Sequence, residues 1–154
     1  MASLLSANPK FASNTTNMNV VVTGASSGVG FEMVKKLMGN EKVKTIIGIA
    51  RRSDRLELLT EFAATSGKSD VFIPLVGDVC SISAEELTKH LNHVDVLVNN
   101  AGLLSSKPFQ ELTSEDFRSI YEVNVFAPAR LIQMLKPMMG GERPSHIVNI
   151  GSTR

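Results

Sequence analysis

Five short apolar runs alternate with segments of helical pattern along the chain. Val20, Val21 and Val22 form a continuous β-branched run, which is typical of a central parallel strand that is buried on both faces. Between the runs, apolar residues recur every three or four positions, and this spacing predicts helices with one buried face. The predicted strands are residues 19–22, 43–50, 71–76, 94–98 and 147–150. The alternation predicts an α/β fold in which right-handed crossovers join the strands of a parallel sheet.

The first strand leads directly into a glycine-rich turn, Thr-Gly-Ala-Ser-Ser-Gly-Val-Gly, at residues 23–30. Gly24 is expected to form the tight turn, whereas Gly28 and Gly30 would let a pyrophosphate approach the backbone and let the helix pack closely on the strand. The N–H groups in the first turn of the following helix would then face the anion. Taken alone, these glycines also fit a strand–turn–helix connection that binds no ligand.

Other unusual residues follow the remaining predicted strands. Arg51 and Arg52 follow the second strand, Asp78 follows the third, residues 99–102 (Asn-Asn-Ala-Gly) follow the fourth, and Ser152 follows the fifth. The carboxyl ends of parallel strands lie at one edge of a sheet, and ligands bind there, near the point where the strand order reverses. The sequence therefore predicts one ligand site at this edge.

A long helix is predicted from about residue 116 to residue 139, with Asn124 on its inner face. The apolar members of that face are Phe117, Ile120, Ala127, Leu131, Leu135 and Met138. Pro128 has no N–H, so the carbonyl of Asn124 loses its usual helical partner. We expect either a free, inward-facing carbonyl at a helix bend or a kink around a buried, hydrogen-bonded Asn124.

The composition excludes several classes of function. The 154 residues suit one domain, with 43% apolar and 20% charged residues. A formal net charge of +1 gives no reason to expect nucleic acid or an anionic membrane as a partner. No apolar run is long enough to span a bilayer. The single cysteine, Cys80, excludes an internal disulfide and a multi-cysteine metal site, and no metal site is predicted.

Residues 1–18 differ from the rest of the chain. They are rich in Ser, Ala, Asn and Thr, show no clear period, and carry one charged side chain, Lys10. We expect a disordered arm here and a single domain over residues 19–154. A cytoplasmic location is expected, and the lack of acidic residues leaves import into an organelle open.

Taken together, the motifs resemble those of the short-chain dehydrogenase/reductase family over about residues 19–152. Residues 23–30 look like its T-G-x-x-x-G-x-G cofactor turn, and residues 99–102 match its N-N-A-G motif in full. The resemblance implies a Rossmann-type, doubly wound parallel sheet and NAD(P)-dependent redox chemistry on a small carbonyl or alcohol. It also implies catalytic roles for Asn124, whose carbonyl would hold a water in a proton relay, and for Ser152. The cofactor-binding residues it implies are Gly24, Ser26, Ser27, Gly28, Val29, Gly30, Arg51, Arg52, Asp78, Val79, Asn100, Ala101 and Gly102.

The end of the second strand indicates which dinucleotide is preferred. An NAD site usually has Asp or Glu there to bind the ribose 2′-hydroxyl. This chain has Ala50 and Arg51 instead, and a guanidinium can bind the 2′-phosphate of NADP with charge-assisted hydrogen bonds. We expect NADP rather than NAD, with Arg51 as the first candidate and Arg52 as the second. The alternative is that both are solvated loop arginines.

One part of the family's machinery does not occur in this sequence. The family uses a tyrosine as the general acid and base, assisted by a lysine four residues later. The only tyrosine is Tyr121, and Val125 stands four residues after it. The sequence is therefore interpreted as the N-terminal, cofactor-binding part of a longer enzyme, with an incomplete sheet of about five strands and without normal turnover by itself. The alternative is a non-catalytic module that binds a dinucleotide or a partner. The 116–139 helix is expected to form a homo-oligomer in the full-length form.

Overall fold

A parallel, five-stranded sheet forms the centre of the molecule. The computed structural model describes residues 17–141 and 143–152. The strands are β1 (Met18–Thr23), β2 (Val43–Ala50), β3 (Phe72–Val76), β4 (Val96–Asn99) and β5 (His146–Asn149). Their order across the sheet is β3-β2-β1-β4-β5, so the strand order reverses between β1 and β4. The predicted Rossmann-type, doubly wound parallel sheet is confirmed.

Helices cover both faces of this sheet. They are α1 (Gly28–Met38), α2 (Ser53–Thr65), α3 (Ala84–Thr88), α4 (Ser114–Tyr121) and α5 (Ala127–Leu135). Alternate residues of β1 point to opposite faces. Val20 and Val22 belong to the core that includes residues of α1 and α2, whereas Val21 belongs to the core that includes residues of α3 and α5. All three valines are at most 1% exposed, as their continuous β-branched run predicted.

The strand ends differ slightly from the prediction. The bounds of β2 are those predicted, and β1 begins at Met18, which is buried and does not belong to an arm. The starts of β3, β4 and β5 differ from the predicted ones by one or two residues. Residues 1–16 of the predicted N-terminal arm lie outside the described residues.

The predicted long helix is divided. A π-helical segment, Glu122–Phe126, separates α4 from α5, and a short 3₁₀ turn, Lys136–Met138, follows α5. The predicted inner face is divided as well. Leu131 and Leu135 are 1% exposed, but Phe117 is 39% exposed and Asn124 is also exposed. The prediction of one continuous buried stripe was therefore wrong in its first half.

The start of α4 is fixed by a capping box. The Asp116 N–H donates to Thr113 Oγ1 at 3.2 Å, and the Thr113 N–H donates to Asp116 Oδ2 at 2.8 Å. Lys107 Nζ lies 2.8 Å from both carboxylate oxygens of Asp116. The hydrogen bond from Lys107, followed by those from Thr113, lowers the pKa of Asp116 to about 2.

At the amino ends of the central strands, a buried carboxylate joins three parts of the chain. Asp95 is 1% exposed and accepts a hydrogen bond from the Asn19 N–H at 2.7 Å. Arg143 Nη2 lies 3.1 Å from each of its carboxylate oxygens, and His93 Nε2 lies 3.4 Å from Oδ1. This cluster lies at the edge of the sheet opposite the predicted ligand site, so its role is to join β1, β4 and the chain that leads into β5.

Candidate dinucleotide site

A cleft of about 490 Å³ opens at the carboxyl ends of the strands, beside the point where the strand order reverses. Residues from five parts of the chain line it: the glycine turn, the end of β2, the chain after β3, the chain after β4, and the π-helical segment. The lining residues are Gly24, Ser26, Ser27, Val29, Ile49, Ala50, Arg51, Arg52, Asp78, Val79, Asn100, Ala101, Gly102, Leu103 and Val123.

The start of α1 faces this cleft without a side-chain cap. Ser27 is the N-cap residue in an extended conformation, and its side chain makes no capping hydrogen bond. The first turn of α1 also contains no acidic residue. Backbone N–H groups at an uncapped helix start can bind an anion, and the helix dipole favours negative charge there. This end of the cleft is therefore suited to a phosphate group.

Close backbone packing requires glycine at two positions in the turn. Gly24 has φ +68°, and a Cβ atom there would lie 2.8 Å from Ala101 Cα. A Cβ at Gly30 would overlap the Gly24 carbonyl oxygen and the Asn100 side-chain nitrogen. Gly30 therefore allows α1 to pack on the glycine turn, whereas the prediction named the strand as its neighbour. Neither Gly28 nor Gly30 lines the cleft, and a Cβ at Gly28 would meet nothing within 4 Å.

Thr23 and Asn100 join the glycine turn to the Asn-Asn-Ala-Gly segment. Thr23 Oγ1 accepts hydrogen bonds from the N–H groups of Asn100 and Ala101 at 3.0 and 2.9 Å. In return, Asn100 Nδ2 donates to the carbonyls of Thr23 and Gly24 at 3.0 and 3.3 Å. The side chain of Asn100 thus holds the turn in place, and Thr23 is a positioning residue that the predicted site did not include.

The two predicted arginines occupy different positions. Arg52 donates to Ser26 Oγ at 3.1 Å through Nη2, so its guanidinium lies against the glycine turn. The Arg51 side chain is 76% exposed, and its Nη1 lies 4.0 Å from Asp78 Oδ2. A third arginine, Arg55 in the first turn of α2, donates to the Ser26 carbonyl at 3.2 Å and lies over the ring of Phe31. Sequence reasoning missed Arg55, although its position three residues after Arg52 could have indicated it.

On the other side of the cleft, Asp78 and Val79 follow β3. Asp78 Oδ1 accepts a hydrogen bond from the Cys80 N–H at 2.8 Å, and Val79 is 8% exposed. Burial is the largest cause that raises the pKa of the Cys80 thiol, and its hydrogen bond and charge interaction with Asp78 raise it further. Cys80 is therefore a poor thiolate at neutral pH, which does not favour a nucleophilic role.

The two predicted catalytic residues lie outside the cleft lining. Asn124 Oδ1 accepts from the Leu103 N–H, and its Nδ2 donates to the Leu103 carbonyl, both at 2.8 Å. Its side chain is thus hydrogen-bonded but exposed, which corrects the expectation of an inward-facing residue. Ser152 follows β5, where the Ile150 N–H donates to the Asn99 carbonyl at 2.9 Å. Tyr121 is 54% exposed on α4.

Residues 17–141 and 143–152 contain neither a metal-binding cluster nor a membrane-spanning helix. Within these ranges, no group of three or more His, Cys, Asp and Glu side chains is arranged to hold a metal ion. None of the helices described is long and apolar enough to cross a membrane.

Comparison with known proteins places this architecture in a family. Residues 18–154 match the family model described as short chain dehydrogenase. The chain belongs to the short-chain dehydrogenase family, and the resemblance drawn from its motifs is confirmed.

Its relatives in this family include enzymes and solved structures. It is 30% identical to a fatty acyl-CoA reductase of Mycobacterium tuberculosis over 142 residues, which are 89% of this chain and 48% of that protein. A short-chain dehydrogenase from Streptomyces avermitilis superposes with a TM-score of 0.75 at 33% identity, over 89% of this chain and 50% of that one. A metagenomic short-chain oxidoreductase in complex with NADP superposes with a TM-score of 0.75 at 26% identity, over 91% of this chain and 64% of that one. The chain spans about half the length of the curated relatives it matches.

Proposed function

We propose that this chain forms the cofactor-binding part of an NADP-dependent short-chain oxidoreductase, which transfers hydride between NADP(H) and a carbonyl or alcohol substrate. The observation that carries the proposal is the cleft beside the strand-order reversal, with the uncapped start of α1 at one end and arginines at the end of β2. This arrangement offers backbone N–H groups for a pyrophosphate and guanidinium groups for a further phosphate.

The preference for NADP over NAD rests on the charge at the end of β2. Ala50 and Arg51 line the cleft where NAD sites usually carry a carboxylate. Arg52 and Arg55 lie close by, both hydrogen-bonded to Ser26. A 2′-phosphate placed here would meet positive charge, and an NAD ribose would find no carboxylate partner. The relative solved with NADP supports this choice of cofactor.

Bound NADPH would supply a hydride to the substrate carbon. In this proposal the N–H groups at the start of α1 and the glycine turn hold the pyrophosphate, while Asp78 and Val79 bound the adenine end of the cleft. Ser152 would hydrogen-bond the substrate oxygen, and the backbone carbonyl of Asn124 would hold a water in the proton path. A Tyr-x-x-x-Lys pair would complete the acid–base chemistry, and it does not occur in these 154 residues.

Fluorescence titration with NADPH and NADH tests the cofactor assignment. We expect tighter binding of NADPH, and we expect Arg51→Asp to weaken NADPH more than NADH because the new carboxylate repels a 2′-phosphate. Lys44→Asp is a control with the same change of charge, since Lys44 is exposed at the amino end of β2 and lies outside the cleft lining. Equal losses for both cofactors in Arg51→Asp would remove the argument for NADP.

The form of the protein in its natural source decides between an enzyme and a binding module. A measured mass well above 16.7 kDa, with Tyr-x-x-x-Lys in the additional sequence, would support the reductase. A source that produces only the 16.7 kDa chain, with NADPH binding but no turnover of any carbonyl substrate, would favour a non-catalytic dinucleotide-binding module.

The proposal includes a homo-oligomer that forms through the 116–139 region. Exposed apolar side chains cluster in and beside this region, and large exposed apolar patches mark protein interfaces. The side chains are Phe109, Phe117, Tyr121, Val125 and Phe126. Light scattering coupled to size-exclusion chromatography tests this part of the proposal. A monomer at micromolar concentration would contradict it.

A further inference from the structure

Arg130 joins two walls of the candidate cofactor cleft, although it does not line the cleft itself. Its Nη2 donates to the Val79 carbonyl at 2.7 Å, and its Nη1 lies 3.7 Å from Glu122 Oε1. Val79 lines the cleft on the β3 side, and Val123, next to Glu122, lines it from the π-helical segment. One guanidinium therefore connects the segment after β3 with the π-helical segment.

We infer that Arg130 is a positioning residue for the adenine end of the dinucleotide, and this inference rests on the proposed function. Its hydrogen bond fixes the peptide that follows Val79, and Asp78 and Val79 form the wall at which the adenine is proposed to lie. The Val79 residue is 8% exposed, and a buried carbonyl that loses its donor carries an unfavourable desolvation cost. A charged donor makes this hydrogen bond stronger than one between neutral groups.

The geometry also explains why an arginine is suited to this position. The guanidinium is planar and presents several N–H groups at once, so different nitrogens of Arg130 can contact Val79 and Glu122. Leu131, the next residue on α5, is 1% exposed and fixes the helix that carries the arginine. The Arg130 side chain is 36% exposed, so its removal does not open a cavity in the core.

The test compares binding of two probes to variants of the protein, in the longest form that its natural source produces. The probes are NADPH and adenosine 2′,5′-bisphosphate, which contains the adenine and the 2′-phosphate but no nicotinamide. We expect Arg130→Met to weaken both by a similar factor of about ten, because the adenine wall is no longer fixed. Arg130→Lys, which keeps a charged donor, is expected to restore most of the affinity.

Two further variants make the result specific to Arg130. Glu122→Gln removes the ion pair on a half-buried side chain and is expected to weaken both probes about threefold, without a change in melting temperature. Lys44→Met, a control at the exposed amino end of β2 and outside the cleft lining, is expected to bind both probes as the wild type does. A merely structural role of Arg130 would lower the melting temperature of Arg130→Met and leave the affinities of the folded protein unchanged.

Each outcome supports or overturns a defined statement. Failure of the wild type to bind either NADPH or NADH would overturn the proposed function and this inference with it. Binding by the wild type, with equal affinities in Arg130→Met, would overturn the role of Arg130 alone. If Arg130→Met does not fold, Glu122→Gln decides: wild-type affinities in that variant would overturn the inference.

Discussion

Gly30→Ala tests how tightly the start of α1 packs on the glycine turn. A Cβ atom at this position would overlap the Gly24 carbonyl oxygen and would lie 3.0 Å from the Gly24 carbonyl carbon. It would also overlap Asn100 Nδ2. Because the obstacle at Gly24 is backbone, a side-chain rotation cannot relieve the overlap, and α1 or the turn must shift.

The expected cost has two parts. Forcing an extra methyl group into a well-packed site costs about 1–3 kcal/mol. Displacement of the Asn100 side chain also weakens its hydrogen bonds to the Thr23 and Gly24 carbonyls, now at 3.0 and 3.3 Å. Each of these contributes about 1 kcal/mol, so with both bonds lost the variant should lose roughly 3–5 kcal/mol of its free energy of unfolding.

Urea denaturation followed by circular dichroism measures this loss. Gly39→Ala is the matched control at the other end of α1, where a new Cβ would meet its nearest atom, the Lys36 carbonyl oxygen, at an ordinary 3.5 Å. Its free energy of unfolding should remain within about 0.5 kcal/mol of the wild type. A Gly30→Ala protein that is as stable as the control, with the same denaturant slope, would refute the packing argument.

Three other side chains, those of Thr23, Asp95 and Asp116, make contacts whose effects can be measured. Thr23→Val should lower the free energy of unfolding by about 2–4 kcal/mol in urea denaturation, because two backbone N–H groups lose the hydroxyl oxygen that they share. Thr23→Ser keeps the hydroxyl and should stay close to the wild type. Equal stabilities of the Thr23→Val and Thr23→Ser proteins would contradict this. Asp95→Ala should lower the free energy of unfolding by about 3–5 kcal/mol, because it leaves a buried N–H and a guanidinium without their carboxylate. A loss below about 1 kcal/mol in the same assay would show that the cluster is dispensable. The side-chain carboxyl carbon of Asp116 should titrate by NMR with a midpoint near pH 2 instead of the ordinary 3.8. Since its pKa is lowered in the folded state, the stability that this carboxylate adds is complete above about pH 4 and is lost as the pH falls through 2. An NMR midpoint near 3.8 would argue against the Lys107 contact.

The central strands β1 and β4 could be predicted because all their residues are buried. Val20, Val21 and Val22 have neighbours on both faces, so each position needs an apolar, β-branched residue and the run is unmistakable. The π-helical segment left no comparable signal, since its sequence, Glu-Val-Asn-Val-Phe, fits an ordinary helix period. The local sequence pattern therefore predicted the regular strands and helices but not the π-helical segment, which interrupts the helix period.

The position of the cleft could be predicted from the sequence, but the contacts within it could not. Placing the glycine turn and Arg52 at one edge needs only the rule that parallel strands end together. Their direct contact depends on register: Thr23 of β1 pairs with Ile49 of β2, so Ser26 and Arg52, each three residues further on, come together. Register between strands that are distant in sequence cannot be read from the pattern of either strand alone.

The helix around Asn124 follows the prediction from Pro128 only in part. Pro128 lacks an N–H, and the hydrogen-bond pattern of the helix already changes just before it. The Ala127 N–H donates to the Glu122 carbonyl, five residues back. A π-helical turn contains about one extra residue, which rotates the following helix face by about 100° relative to a regular helix. The residues before and after it therefore do not form one stripe: Leu131 of α5 is buried, whereas Phe117 of α4 is 39% exposed. In this arrangement the Asn124 side chain holds Leu103, which lines the candidate dinucleotide cleft, through two hydrogen bonds. Asn124 is thus connected to the cleft by its side chain, and the role of its carbonyl in a proton path stays a prediction that turnover of the complete enzyme must test.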